Sequence, residues 1–229
     1  MGEVSSPDVE LPVASLSHTR VGAIVTVQAE GVEYRARIIG ITHGIATLHL
    51  FEPLSRASES SLAITLVQAL PKKERMELII QKATELGVAA ILPCISAKSI
   101  TLSERGVHQS KTHRWPAIAA KAVEQSRRRL IPHIGNCIDL TAALARVSEA
   151  ELKFILYEKE VELDLHNVAD KKVRSLAIAA GPEGGFTEDE VMLARGHGFL
   201  PVRLGGRTLR CETASIAAIS IAQFVWGDL

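Results

Sequence analysis

Two glycine-punctuated segments near the C-terminus hold the residues best able to do chemistry. One runs Ala-Ala-Gly-Pro-Glu-Gly-Gly-Phe over Ala179 to Phe186, the other Leu-Gly-Gly-Arg-Thr-Leu-Arg-Cys-Glu-Thr-Ala over Leu204 to Ala214. Each follows a short apolar run and precedes a helix-like stretch. Strand-to-helix turns of this kind gather backbone N–H groups and a few side chains at one edge of a sheet, where open α/β folds bind small ligands. In the first turn Gly184 and Gly185 permit positive φ and close backbone approach, while Pro182 withholds a donor. The turn lacks the Gly-Lys-Ser/Thr ending of a triphosphate loop and the spacing of a dinucleotide fingerprint. Read alone, it is equally a tight strand–helix connection. In the second segment Arg203, Arg207 and Arg210 stand close together, and Glu212 is placed to pair with Arg210. Charges framed by apolar residues point to a site, with a structural Arg–Glu pair as the competing reading.

Other chemistries find little support. Cys94, Cys137 and Cys211 are far apart and have no metal-ligand spacing, so neither a metal site nor a disulfide framework is expected. The eight histidines show no ligand spacing and no nucleophile elbow, which leaves hydrolase chemistry unsupported. No run reaches transmembrane length and no secretory leader is visible, so a cytoplasmic protein is expected. Formal net charge is zero, yet residues 71–135 hold 12 Lys/Arg against 5 Asp/Glu. That segment contains Lys72, Lys73 and Arg75, then Arg127, Arg128 and Arg129. A local basic surface on a neutral chain suits a polyanion such as RNA, although a solvated helix face would look the same.

These residues need elements to hold them. Residues 1–17 are polar and weakly patterned, and a loose start is expected. Short β-type runs follow at Ala23–Gln28, Glu33–Ile39 and Ile45–Phe51, with turns expected at Glu30-Gly31, Gly40 and His43-Gly44. Pro53 to Ser61 reads as a linker out of a small β domain over residues 1–60. Over residues 61–229 strands alternate with helices: strands at Leu62–Ala69, Val88–Pro93, Pro132–Ile134, Lys153–Tyr157, Ser175–Ala180 and Pro201–Leu204. Helices are expected at Lys72–Leu86, His113–Arg129, from an Asp139 cap through Val147, from a Thr187 capping box to about Gly196, and at Thr213–Trp226. That order predicts an α/β fold with a largely parallel sheet covered by helices.

Taken together, Lys72-Lys73-Glu74-Arg75-Met76-Glu77, Gln81 to Gly87, Glu124-Gln125-Ser126, the Gly181–Phe186 turn, Leu204–Ala214 and the closing Trp226-Gly227-Asp228-Leu229 resemble the 16S rRNA uracil-N3 methyltransferase family. That family belongs to the trefoil-knotted, SPOUT-type methyltransferases. The similarity covers residues 21–229. It implies a PUA-like RNA-binding β-barrel domain, then a knotted parallel-sheet domain that binds S-adenosylmethionine and forms a homodimer. It also implies methyl transfer to N3 of a uridine in small-subunit rRNA within the assembled subunit, without a metal. On this resemblance the cofactor contacts fall on Leu156, Tyr157 and Glu158, on Gly181 and Gly185, and on Leu204, Gly205, Leu209 and Ala214. Arg210 is expected on the substrate side, and Glu212 either orients it or acts as base. Two other classes remain open: a knotted methyltransferase acting on tRNA or a ribose 2′-hydroxyl, and a non-catalytic RNA-binding protein.

Overall fold

The structure, a computed structural model, describes residues 8–71, 75–99, 112–159 and 172–229. The chain divides into two compact units. The first comprises Met1–Glu59 and Ala119–Ile131, and the second Ser60–Ile118 and Pro132–Leu229. Residues 119–131, expected with the second domain, therefore group with the first.

The first unit is built on four antiparallel strands: β1 (Asp8–Pro12), β2 (Ile24–Ala29), β3 (Val32–Thr42) and β4 (Ile45–Pro53), in the order β1-β4-β3-β2. Alternation puts Ala46, Leu48 and Leu50 of β4 on one buried face with Val25, Val27, Ala36 and Ile38. Both hairpins have two-residue loops, Glu30-Gly31 and His43-Gly44, with positive φ at each residue. That conformation matches the right-handed twist of the flanking strands. Two expectations are corrected. Gly40 is no turn: it lies inside β3 at a register shift against β4, where a glycine accommodates a bulge. The start is not wholly loose either. Asp8–Pro12 pairs along β4 from His49 to Ile45, because Val9 and Leu11 alternate with Asp8 and Glu10 and supply a short apolar face.

The second unit holds β5 (Ala63–Ala69), β6 (Ala90–Ile95), β7 (His133–Ile134), β8 (Ile138–Asp139), β9 (Leu152–Leu156), β10 (Ser175–Ala180) and β11 (Leu200–Val202). Strand order is β11-β9-β10-β5-β6-β7, with β8 also on β6, and every pairing is parallel. Covered parallel sheets bury both faces of their strands, which is why β5 and β10 are apolar runs and not alternating ones. Helices α1 (Arg75–Glu85), α3 (Leu140–Arg146), α4 (Glu188–Gly196) and α5 (Cys211–Trp226) belong to this unit; α2 (Trp115–Ser126) begins here and ends in the first. Asp139 caps α3 by accepting from the Ala142 N–H, and Thr187 with Glu190 forms a complete capping box on α4. The chain lays down β5 and β6 side by side, then adds β9, β10 and β11 on the other edge of β5. Such a reversal of strand order opens a crevice beyond the carboxyl ends of the strands.

Candidate active site

Three loops leave the carboxyl ends of β9, β10 and β11 and enclose a cavity of about 810 Å³, within the usual range for small-ligand sites. Every residue expected to contact the cofactor lies on its wall: Leu156, Tyr157 and Glu158 after β9, Gly181 and Gly185 after β10, Leu204, Gly205, Leu209 and Ala214 after β11. The loops are held by the backbone. The Tyr157 N–H donates to the Val202 carbonyl at 2.9 Å, joining the ends of β9 and β11, and the Gly185 N–H donates to the Pro182 carbonyl at 2.9 Å to close the first turn. Gly185 takes φ +63°, and a Cβ there would meet no protein atom. At Gly181 a Cβ would come within 3.0 Å of the Gly185 Cα, so that position requires glycine for a different reason.

Beneath the loops lies a buried polar link. Gln68, fully buried at the end of β5, points its side-chain amide nitrogen at the carbonyls of Ala69 (3.0 Å), Ala180 (3.3 Å) and Gly181 (3.4 Å). Its Oε1 accepts from the Ser215 hydroxyl at 2.7 Å, and the Ser215 Oγ also lies 3.0 Å from the Cys211 carbonyl oxygen. A satisfied buried network of this kind rigidifies what it joins, here the start of the first turn and the first turn of α5. The sequence signal was available: Gln68 interrupts an apolar run that the sheet buries.

The charged residues are arranged differently from expectation. Glu212 does not form its ion pair with Arg210. Its carboxylate lies 3.7 Å from Nη1 of Arg75 and 3.2 Å from the Cys211 thiol. The same Arg75 nitrogen lies 3.2 Å from Glu183 in the first turn. Burial raises the Glu212 pKa, but its own backbone N–H, the Cys211 thiol, Arg75 and Arg210 outweigh that and hold it below the ordinary 4.5. Burial, followed by the bond to Glu212, pushes the Cys211 thiol up to about 12, so at neutral pH it is a protonated donor. Arg210 is the N-cap of α5, exposed and without a side-chain capping bond. It and Glu212 flank the lining residues Leu209, Cys211 and Ala214 and do not themselves line the wall. Lys98 also reaches the site: its ammonium donates to the Gly184 carbonyl at 2.8 Å, and a Cβ on Gly184 would meet the Lys98 side chain. Nothing in the sequence pattern tied Lys98 to that turn.

The basic residues are dispersed. Lys72 and Lys73 lie outside the described residues, and Arg75 serves the two carboxylates just named. Arg128 is 6% exposed and bonds Glu59 through Nε and Nη2 at 3.1 and 2.6 Å. Glu59 also accepts the Arg129 and Leu130 N–H groups, while Arg129 Nε donates to Glu33. The expected cluster of Arg127, Arg128 and Arg129 is therefore corrected: within the first unit, charge pairing draws two of them inward, and Arg127 is the exposed member. Among the described residues no group of three or more His, Cys, Asp or Glu could hold a metal ion, and no helix is long and apolar enough to cross a membrane.

A crevice at the carboxyl ends of a parallel sheet, walled by glycine turns, defines the class: the model of the RNA methyltransferase domain matches residues 58–223. Ribosomal RNA small subunit methyltransferase E of Buchnera aphidicola is 33% identical over 84% of this chain and 76% of that protein, and its Bacillus subtilis namesake is 30% identical over 88% and 81%. The crystal structure of the Neisseria gonorrhoeae namesake bound to S-adenosyl methionine is 31% identical, with TM-score 0.75 over 100% of this chain and 96% of that one. A methyltransferase of Legionella pneumophila, in complex with the same cofactor, is 34% identical with TM-score 0.73 over 100% and 96%. The chain belongs to the ribosomal RNA small subunit methyltransferase E family.

Proposed function

We propose that this protein transfers the methyl group of S-adenosylmethionine to N3 of a uridine in small-subunit rRNA. The observation that carries the reading is the cavity at the ends of β9, β10 and β11, whose wall collects all nine expected cofactor contacts. Its residues fit the group. The open space above Gly185 leaves room where a side chain would intrude, and the wall carries Glu158, Glu183, Glu188 and Asp189 together with Lys98, Lys159, Arg203 and Arg207, which suits a ligand bearing charges of both signs. Gly181, Gly185, Gly205 and the backbone of Leu156 to Glu158 would hold it. Once bound, S-adenosylmethionine supplies a methyl group already activated by its positive sulfur.

The remaining tasks belong to the protein's own side chains. The target base must be presented unpaired, since N3 lies on the pairing edge, and must be aligned with the methyl donor. Arg210 stands at the rim beside Leu209 and Cys211. There its guanidinium would hold a uracil carbonyl and stabilise the anion left as N3 gives up its proton. Glu212, ionised and held by Arg75 and Cys211, places a negative charge near Arg210 and would either orient it or serve as base. RNA would be gripped in part by the first unit, read as a PUA-like domain, where Arg127 is exposed along with Arg20, Arg37 and Arg56. The knot implied by the resemblance and a homodimer are part of the same proposal. Phe224 of α5 is 76% exposed and Ile221 is 38% exposed, an apolar face suited to a second copy.

The deciding experiment is methylation of unmodified small subunits with labelled cofactor, followed by nucleoside analysis. N3-methyluridine is expected. A ribose-methylated product, or label accepted only by tRNA, would move the assignment to another RNA methyltransferase.

A further inference from the structure

We infer that Arg75 is a clamp that holds the two glycine loops in cofactor-binding register, and not a phosphate contact for RNA. The inference rests on the S-adenosylmethionine reading of the cavity. Arg75 opens α1, which packs against α5. Its Nη1 lies 3.2 Å from Glu183 and 3.7 Å from Glu212. Glu183 belongs to the Gly181–Gly185 turn and lines the cavity; Glu212 sits between the lining residues Cys211 and Ala214. One nitrogen on a third element thus ties the carboxylate of the first glycine turn to one in the first turn of α5, directly after the second glycine loop, and both segments must close on one ligand.

An exposed ion pair usually contributes little, but this geometry differs from an isolated pair. The Arg75 side chain is 30% exposed, and those of Glu183 and Glu212 are 26% and 14% exposed. Without the cation, Glu183 and Glu212 lose the charge they share, and with it the tie between them. Within the same first turn of α5, the Cys211 thiol donates to Glu212 at 3.2 Å and fixes the carboxylate. Gln68 and Ser215 brace the same two loops from below, so Arg75 closes the arrangement from the α1 side.

The test uses the full chain and four variants: Arg75→Gln, Arg75→Lys, the double change Glu183→Gln with Glu212→Gln, and that double change combined with Arg75→Gln. Calorimetry measures S-adenosylhomocysteine binding without RNA, anisotropy measures affinity for a small-subunit rRNA fragment without cofactor, and melting curves monitor the fold. Arg75→Gln should bind S-adenosylhomocysteine roughly tenfold more weakly, keep wild-type RNA affinity and melt near wild type. Arg75→Lys should recover part of the loss, since an ammonium cannot reproduce the fork. The double carboxylate variant should weaken cofactor binding to a similar degree while leaving Arg75 in place. Adding Arg75→Gln to it should cost little more. Wild-type cofactor binding in Arg75→Gln overturns the clamp, as does a selective loss of RNA affinity, which would return Arg75 to the phosphates. If Arg75→Gln melts early, the double carboxylate variant decides, and its unchanged cofactor affinity rejects the clamp. Failure of the wild-type protein to bind S-adenosylhomocysteine overturns the cofactor reading itself, and the clamp with it.

Discussion

Arg210 breaks a local rule. Helix N-caps favour Ser, Thr, Asp or Asn, whose oxygen accepts from the exposed N–H groups of the first turn. An arginine can accept nothing, and it adds positive charge to the positive end of the helix dipole. Residues that violate local preference without an evident structural return mark functional positions. Arg210→Ser is therefore expected to move stability and activity in opposite directions. The melting temperature should rise, by roughly 1 kcal/mol of capping energy, or about 2–4 °C for a chain this size. Single-turnover methylation should fall on the order of 100-fold with cofactor affinity kept, as for a contact that strengthens towards the transition state. Lower stability together with lost cofactor binding would make Arg210 a structural residue. Gly185 tests the other side of the site. Gly185→Val places a branched side chain at φ +63° and into the open space of the turn. Calorimetry should detect no S-adenosylhomocysteine binding, while far-UV circular dichroism stays native.

At the scale of elements, the C-terminus of α2 shows how charge pairing shapes the first unit. The Arg128 N–H donates to the Val123 carbonyl and the Arg127 N–H to that of Glu124, closing the helix in a Schellman motif with Arg127 at φ +61°. Glycine normally occupies that position. Arg127→Gly should raise stability by up to about 1 kcal/mol in urea unfolding. If Arg127 meets a phosphate, the same variant should lower the salt slope of RNA binding by about one ion. Glu59→Gln should do the reverse, because Arg128 is buried and Glu59 holds it together with two backbone N–H groups. A loss of about 3–5 kcal/mol is expected for removing one partner of a buried ion pair. Glu33 supplies a pH readout. Burial raises its pKa, but hydrogen bonds from Ser58 and the Arg129 guanidinium lower it below 4.5 overall. A depressed carboxylate contributes stability that is fully present above the unfolded value and is lost as pH falls through the folded one. Glu33→Gln should therefore flatten the fall in stability below pH 4.5, and an unchanged acid limb would show that the pairing contributes nothing.

At the scale of the molecule, α5 serves two surfaces. One side is buried: Ser215 and Gln223 are fully enclosed, and Gln223 donates to the Leu86 carbonyl while accepting from Ser60. The other side presents Phe224 and Ile221 to solvent. The homodimer reading predicts twice the chain mass by light scattering at micromolar concentration. Phe224→Glu should shift the mass towards that of one chain, because a carboxylate on each copy would be desolvated against the other. A wild-type monomer at that concentration would mean that the exposed apolar face has another role.

Much was written in the sequence because it depends on near neighbours. Alternating and continuous apolar runs, the Asp139 cap, the Thr187–Glu190 box and the two hairpin glycines act within a few residues, so their elements follow from local chemistry. The nine cofactor contacts implied by the family resemblance also fall on the wall of the cavity, although other wall residues, Lys98 among them, carried no sequence signal. Tertiary structure decided the rest, where partners lie far apart along the chain. Strand order brought three loops to one crevice, and Gln68 met Gly181 and Ser215 across the sheet. Arg128 was drawn inward by Glu59, 69 positions earlier. Arg75 was drawn to Glu183 and Glu212, more than a hundred residues on. Charge counts along a chain cannot foresee such pairings, because an ion pair forms between whichever groups the fold brings within a few ångströms, and sequence separation has no part in Coulomb's law.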